Sequence, residues 1–164
     1  MRLFIASPVE LFAYQKIRED FKDIIEGKWV EEENLHLTWV FLGELPSSVP
    51  VIEKLQQLTP LEKHFEIASL GYFGRPPRVF FAKAEEKLLY EKAASFREAG
   101  FDLYRFKPHI TLCRIKQIHN YCAFKNIKQH YKEMILGEIL PKITLYESQL
   151  SQNGPEYRAL YTLE

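Results

Sequence analysis

Leu35-His36-Leu37-Thr38-Trp39-Val40-Phe41-Leu42-Gly43 reads as an extended strand running from about Leu35 to Leu42, broken by a glycine. Successive strand side chains point to opposite faces, so His36 and Thr38 share one side while Leu35, Leu37 and Trp39 take the other. The phrase His109-Ile110-Thr111-Leu112, 73 residues further on, repeats this arrangement: a histidine and threonine on one face, apolar anchors on the other. A single His-x-Thr phrase is most simply a structural histidine beside a threonine chosen for its β-propensity. Two copies with matching apolar flanks, using two of the chain's five histidines, point to a shared site. Imidazole alone among side chains has an ordinary pKa, about 6.5, that lets it gain or lose a proton near neutrality. A convergent pair can therefore serve as base and acid.

The rest of the chain bounds the setting. Its 164 residues, 46% hydrophobic, suffice for one substantial core, and residues 1–164 are expected to form a single bilobal domain. The 12 Phe and 9 Tyr favour strands. No apolar run reaches the length of a membrane span and the amino terminus lacks a signal-peptide pattern, so a cytoplasmic location is expected. Lys plus Arg equals Asp plus Glu at 22 each, which removes any whole-molecule attraction to nucleic acid and leaves RNA contact to local clusters. Cys113 and Cys122 match no zinc spacing and are expected reduced and partly buried. Strand parity would put Cys113 on the His109 face, at the border of the site, with packing as the competing role.

Around the histidine strands the pattern alternates. Arg2 to Ala6 reads as a strand, and Ser7-Pro8-Val9-Glu10 has the form of a helix start, with Val9, Ala13, Ile17, Phe21 and Ile24 on one stripe and Gly27 as terminator. A second helix is expected after Ser48, a third over about 85–99 with Leu89, Ala93 and Phe96 inward, and a weaker fourth over about 120–132. Strands are expected at 65–70, 79–84, 107–115, 138–150 and 157–163, the last two about the turn Asn153-Gly154-Pro155. Several neighbouring strands lack an intervening helix, which indicates α+β with antiparallel sheets over a doubly wound parallel fold. Each motif strand precedes an expected helix, which suggests a twofold internal pseudo-repeat.

The paired phrases, together with Arg2-Leu3-Phe4-Ile5-Ala6, Asn34-Leu35-His36-Leu37-Thr38, Phe41-Leu42-Gly43, Pro77-Arg78-Val79, Pro108-His109-Ile110-Thr111-Leu112 with Arg114, Leu145-Tyr146-Glu147-Ser148 and Gly154-Pro155-Glu156-Tyr157, resemble the two-histidine phosphoesterase superfamily. Within it the flanking text is similar to the RNA 2′,3′-cyclic phosphodiesterase branch, also called RNA 2′-5′ ligase. This resemblance implies a bilobal α+β fold: two antiparallel sheets facing across a groove, helices packed outside, and one motif from each sheet. It implies no cofactor and no metal, hydrolysis of RNA 2′,3′-cyclic phosphate ends to 2′-phosphomonoesters, and in some members the joining of RNA ends through a 2′-5′ bond. RNA or nucleotides bearing that end are the implied partners, with no membrane or obligate protein partner and a monomeric chain. His36 is carried over as proton donor, His109 as proton acceptor, Thr38 and Thr111 as phosphate-binding hydroxyls, Arg114 as a phosphate contact and Phe41 as a platform for the terminal base.

The chemistry has its own logic. Opening a cyclic phosphate needs a water deprotonated on one side of phosphorus and an alkoxide protonated on the other, in line. Arg114 and Phe41, each five residues after a histidine, fall on the wrong face of a regular strand, so their roles require a bulge or strand end before them. Arg105, Lys107, Arg114 and Lys116, with Arg75 and Arg78, could form a basic rim or simply a solvated surface. His64, His119 and His130 have no partner motif and are expected to be structural or at the surface. The competing readings are a nucleotide- or RNA-binding module without turnover, and a phosphodiesterase for 2′-5′ oligonucleotides or small cyclic phosphoesters.

Overall fold

The computed structural model describes residues 1–164. In chain order the elements are β1 (Arg2–Glu10), α1 (Tyr14–Phe21), β2 (Ile25–Trp29), β3 (His36–Glu44), α2 (Val49–Leu55), β4 (Phe65–Ala68), β5 (Leu70–Phe73), β6 (Val79–Lys83), α3 (Lys87–Glu98), β7 (His109–Ile118), α4 (Tyr121–His130), β8 (Ile135–Ile139), β9 (Ile143–Ser151) and β10 (Gly154–Leu163). The strands form two antiparallel halves. One runs β10-β9-β1-β3; the other runs β5-β6-β7, with β2 along the second edge of β7. A short β4–β8 ladder continues from the end of β1.

The halves meet at the two motif strands. β3 and β7 share one registered pair, Leu37 opposite Ile110, and then diverge, β3 running on along β1 and β7 along β2 and β6. The α+β architecture expected from the sequence is what is seen, with its two antiparallel sheets joined edge to edge at this seam. Such a junction satisfies backbone groups that free strand edges would leave open. Behind the seam lies a cluster of 35 buried residues, including Leu37 and Trp39 of β3, Ile110 and Leu112 of β7, Phe96 of α3 and Phe124 of α4. Trp39 shows how firmly the motif strand is anchored: its ring stacks on Phe96 and Phe106 at 5.1 and 5.2 Å, and its Nε1 donates to Ser7 Oγ at 2.9 Å.

That last bond explains one departure from expectation. Ser7-Pro8-Val9-Glu10 does not open a helix; β1 continues to Glu10, where Val9 and Glu10 pair with Ile139 and Glu138. The local capping signal is overridden by a strand partner from far along the chain, and the serine hydroxyl serves the tryptophan instead. The helix starts late, at Tyr14, and still buries Ile17 and Phe21 as the stripe predicts. Gly27 is likewise not a terminator but part of β2, where a Cβ would lie 2.3 Å from the Arg114 carbonyl oxygen. Only a glycine allows that approach. The expected strand over 138–150 is two strands, β8 and β9, parted at Leu140-Pro141-Lys142, where proline has no N–H to give a ladder.

Candidate active site

Leu37 and Ile110 face each other across the seam and are both fully buried. Continuing that register by one residue either way sets His36 opposite Thr111 and Thr38 opposite His109, all four on the face away from the core. The two histidines are then diagonal neighbours, with Cβ atoms roughly 7–8 Å apart. Two imidazoles reaching outward from that diagonal flank a space the size of a phosphate group.

Both rings are held alike. His36 Nδ1 lies 2.6 Å from the Asn34 carbonyl oxygen and His109 Nδ1 lies 2.6 Å from that of Lys107. A carbonyl can only accept, so Nδ1 carries the hydrogen in each ring and Nε2 is the nitrogen free to exchange a proton with a ligand. Asn34 is itself fastened, its Nδ2 donating to the Pro155 carbonyl at 3.1 Å. Aromatic walls complete each pocket. His36 sits 5.2 Å from Phe4 and 5.5 Å, edge to face, from Tyr157; His109 sits 5.0 Å from Phe73 and 5.2 Å from Phe81. Burial pushes both imidazoles below their ordinary 6.5, partly offset by the carbonyl bonds, and a charge on His109 lowers His36 further.

Arg114 and Phe41 reach the site face through paired irregularities. In β3 the register against β1 steps from Ala6–Thr38 to Ile5–Val40, leaving Trp39 as an extra residue. In β7 the register against β6 steps from Phe81–Thr111 to Phe80–Cys113, leaving Leu112 extra. At each step two consecutive residues are buried, Trp39 with Val40 and Leu112 with Cys113, and the alternation is reset beyond them. Phe41 consequently joins the His36 side, 6.1 Å from Phe4 and 72% exposed, and Arg114 faces out with the His109 side. The same step corrects the expectation for Cys113. Its thiol goes into the core, fully buried and pushed up to about 12 by that burial, and it does not border the site; Cys122 is exposed.

Three comparisons bear on this geometry. Residues 5–81 match the family model described as LigT like Phosphoesterase. An RNA 2′,3′-cyclic phosphodiesterase of Methanocaldococcus jannaschii is 34% identical, with 98% of each chain covered. The chain belongs to the LigT-like phosphoesterase family. A second relative with the same name, from Archaeoglobus fulgidus, is 32% identical over the whole of both chains. Among LigT-like folds of known structure, one from Thermus thermophilus superposes with a TM-score of 0.78 at 29% identity, covering 99% of this chain and 97% of that one. Escherichia coli LigT complexed with 3′-AMP gives 0.72 at 20% identity, covering 98% and 95%, a likeness of fold.

Several residues of this LigT-like site carry no sequence signal of their own. Tyr157 comes from β10, two strands beyond β1, and is brought against His36 by the β9–β10 hairpin. Phe4 looks like any core strand residue, yet it stacks with Tyr146 at 5.3 Å and supports His36 and Phe41 together. Phe73 and Phe81 reach His109 from β5 and β6. Tyr14 of α1 braces the seam from behind, its hydroxyl donating to the carbonyls of Val30 and Leu112. The remaining histidines lie outside the site, His64 beside Glu138 at 3.0 Å and His119 beside Glu26 at 3.8 Å.

Proposed function

We propose that this protein hydrolyses RNA 2′,3′-cyclic phosphate ends to 2′-phosphomonoesters, without a metal, by acid–base catalysis between His36 and His109. The observation that carries the reading is the seam register, which sets each motif's histidine across from the other motif's threonine on one face. The names of the relatives supply the substrate class. In the proposed step His109 Nε2 takes a proton from water as its oxygen bonds to phosphorus. The bond from phosphorus to the ribose 3′ oxygen breaks, and His36 Nε2 gives that oxygen its proton. Thr38 and Thr111 donate hydroxyl hydrogens to the non-bridging oxygens, Arg114 balances their charge, and Phe41 offers its exposed face to the terminal base. A 5′-hydroxyl in place of water would yield a 2′-5′ bond by the same movements. Both motifs come from one chain, so a monomer of residues 1–164 is sufficient.

The test is turnover of a nucleoside 2′,3′-cyclic phosphate, and of a short RNA with that end, in the presence of chelator. A 2′-phosphate product is expected from the wild type, and His36→Ala and His109→Ala should each lose about 10²- to 10⁴-fold. Unchanged turnover in either variant removes the pairing. The order of the pair has a separate test. In the ligand-free site burial and the His109 charge both disfavour a proton on His36, and a bound phosphodiester anion works against that effect by favouring protonation of both rings. A phosphodiester with an acidic phenol as leaving group needs no proton donor; it should therefore be cleaved far better by His36→Ala than by His109→Ala, and the opposite ranking would reverse the roles.

A further inference from the structure

Zero net charge conceals a strong segregation. Residues 67–84 and 103–132 together hold 10 of the chain's 22 Lys and Arg and none of its 22 Asp and Glu. These stretches build β5, β6, β7 and α4, the half that contains His109. At the outer edge of this half, on the helix side of β5, Tyr72 and Tyr121 meet with hydroxyls 3.5 Å apart. Lys125 lies over the Tyr121 ring at 4.8 Å and Lys128 over the Tyr72 ring at 5.9 Å. Arg75, in the turn that follows β5, acts on both tyrosines with its charge, and the Tyr72 hydroxyl is lowered by the bond from Tyr121 and then by Lys125, Lys128 and Arg75. None of these three cations is paired with a carboxylate, whereas Lys16, Lys22 and Lys142 elsewhere are.

The patch is continuous with the site. Phe73, the neighbour of Tyr72 on the edge strand, stands on the opposite face, edge to face with His109 and 6.0 Å from Lys107 Nζ. From β7 to that edge is two strand spacings, roughly 10 Å. A chain leaving the catalytic pocket past His109 therefore meets Phe73 and Lys107, turns over the edge at Arg75, and arrives on Tyr72 and Tyr121. Exposed aromatic faces interleaved with unpaired cations are what a single strand of nucleic acid binds without regard to sequence, by stacking bases and neutralising phosphates. An acidic protein surface would use the cations but leave the two tyrosine rings without a matching group.

We propose that the Tyr72–Tyr121 patch with Arg75, Lys125 and Lys128 is a docking site for the single-stranded RNA that precedes the cyclic phosphate end, so that this protein favours oligonucleotides over mononucleotides. The proposal rests on the cyclic phosphodiesterase reading above. Its test compares a nucleoside 2′,3′-cyclic phosphate with an eight-nucleotide RNA ending in the same group, in the wild type and in Lys125→Gln/Lys128→Gln. The double variant should lower kcat/KM for the octamer at least fivefold in low salt and leave the mononucleotide unchanged. Fluorescence anisotropy with an octamer ending in a 2′-phosphate should show a salt slope shallower by about 1.4, the value for two lost phosphate contacts on a single strand. Tyr121→Leu should weaken octamer binding at every salt concentration. Equal octamer kinetics and binding in wild type and double variant overturn the docking site, as does competition by polyglutamate matching that of RNA of equal charge. If the wild type turns over neither substrate the phosphodiesterase reading fails, and the anisotropy result still decides the docking site.

Discussion

His36 and His109 each give their Nδ1 hydrogen to the carbonyl two residues earlier, which fixes the tautomer by local geometry alone and leaves Nε2 pointing at the ligand. Acid–base work then needs one ring protonated and the other neutral, and burial holds both below 6.5. The profile of kcat/KM against pH should therefore be a bell with its maximum below pH 6.5, falling on the alkaline side as the donor loses its proton. A single ionisation, or a maximum above pH 7, would contradict two titrating imidazoles. The threonines contribute hydrogen bonds to a charged phosphate, each worth about 1.5–3 kcal/mol. Thr38→Ala and Thr111→Ala should thus cost about 10- to 100-fold in kcat/KM, less than either histidine variant, as steady-state kinetics can show. At this scale the sequence was highly legible, because the identities and two-residue spacing of His36, Thr38, His109 and Thr111 already state which groups share a face.

The motif strands are ordinary for three residues and then each takes in one extra, Trp39 in β3 and Leu112 in β7. That single insertion decides which face Phe41, Arg114 and Cys113 occupy, and strand alternation by itself predicts all three wrongly. No residue type in Leu37-Thr38-Trp39-Val40 or Ile110-Thr111-Leu112-Cys113 marks a bulge, which forms because both large side chains gain more by entering the core than by keeping the pleat. Gly27 guards the second bulge from the neighbouring strand, since any Cβ there meets the Arg114 carbonyl. Gly27→Ala should destabilise the fold by about 1–3 kcal/mol through forced strand displacement, seen as a lower midpoint of denaturant unfolding. An unchanged midpoint would mean that β2 does not press on β7 as described. Ser7 to Glu10 teaches the same lesson in reverse: a well-formed helix start yields to a strand partner from the far end of the chain, with Val9 pairing to Ile139.

In the whole molecule the catalytic face exists because two sheet halves share one residue pair and then part. Leu37→Ala or Ile110→Ala removes one side of that pair, each fully buried, and should cost about 2–5 kcal/mol of stability, measurable by thermal or denaturant unfolding. The buried rings also couple stability to pH. Their folded pKa values lie below the unfolded 6.5, so the unfolded chain binds more protons below that pH, and the folded state should lose stability as pH falls from 6.5 through the folded values. Thermal midpoints at pH 7.5 and 5.5 should differ less for His36→Asn/His109→Asn than for the wild type; an equal difference would place the coupling elsewhere. By itself the sequence determined the fold class, the four helices in outline and the four motif residues, because each is written in short-range periodicity and spacing. The tertiary structure alone decided that the motifs lie side by side, that Tyr157 and Phe73 wall the two imidazoles, and that the cations gather on one half. Register, bulges and charge segregation in space depend on which distant strands pair, and pairing is settled by the burial of the whole core rather than by any local run of residues.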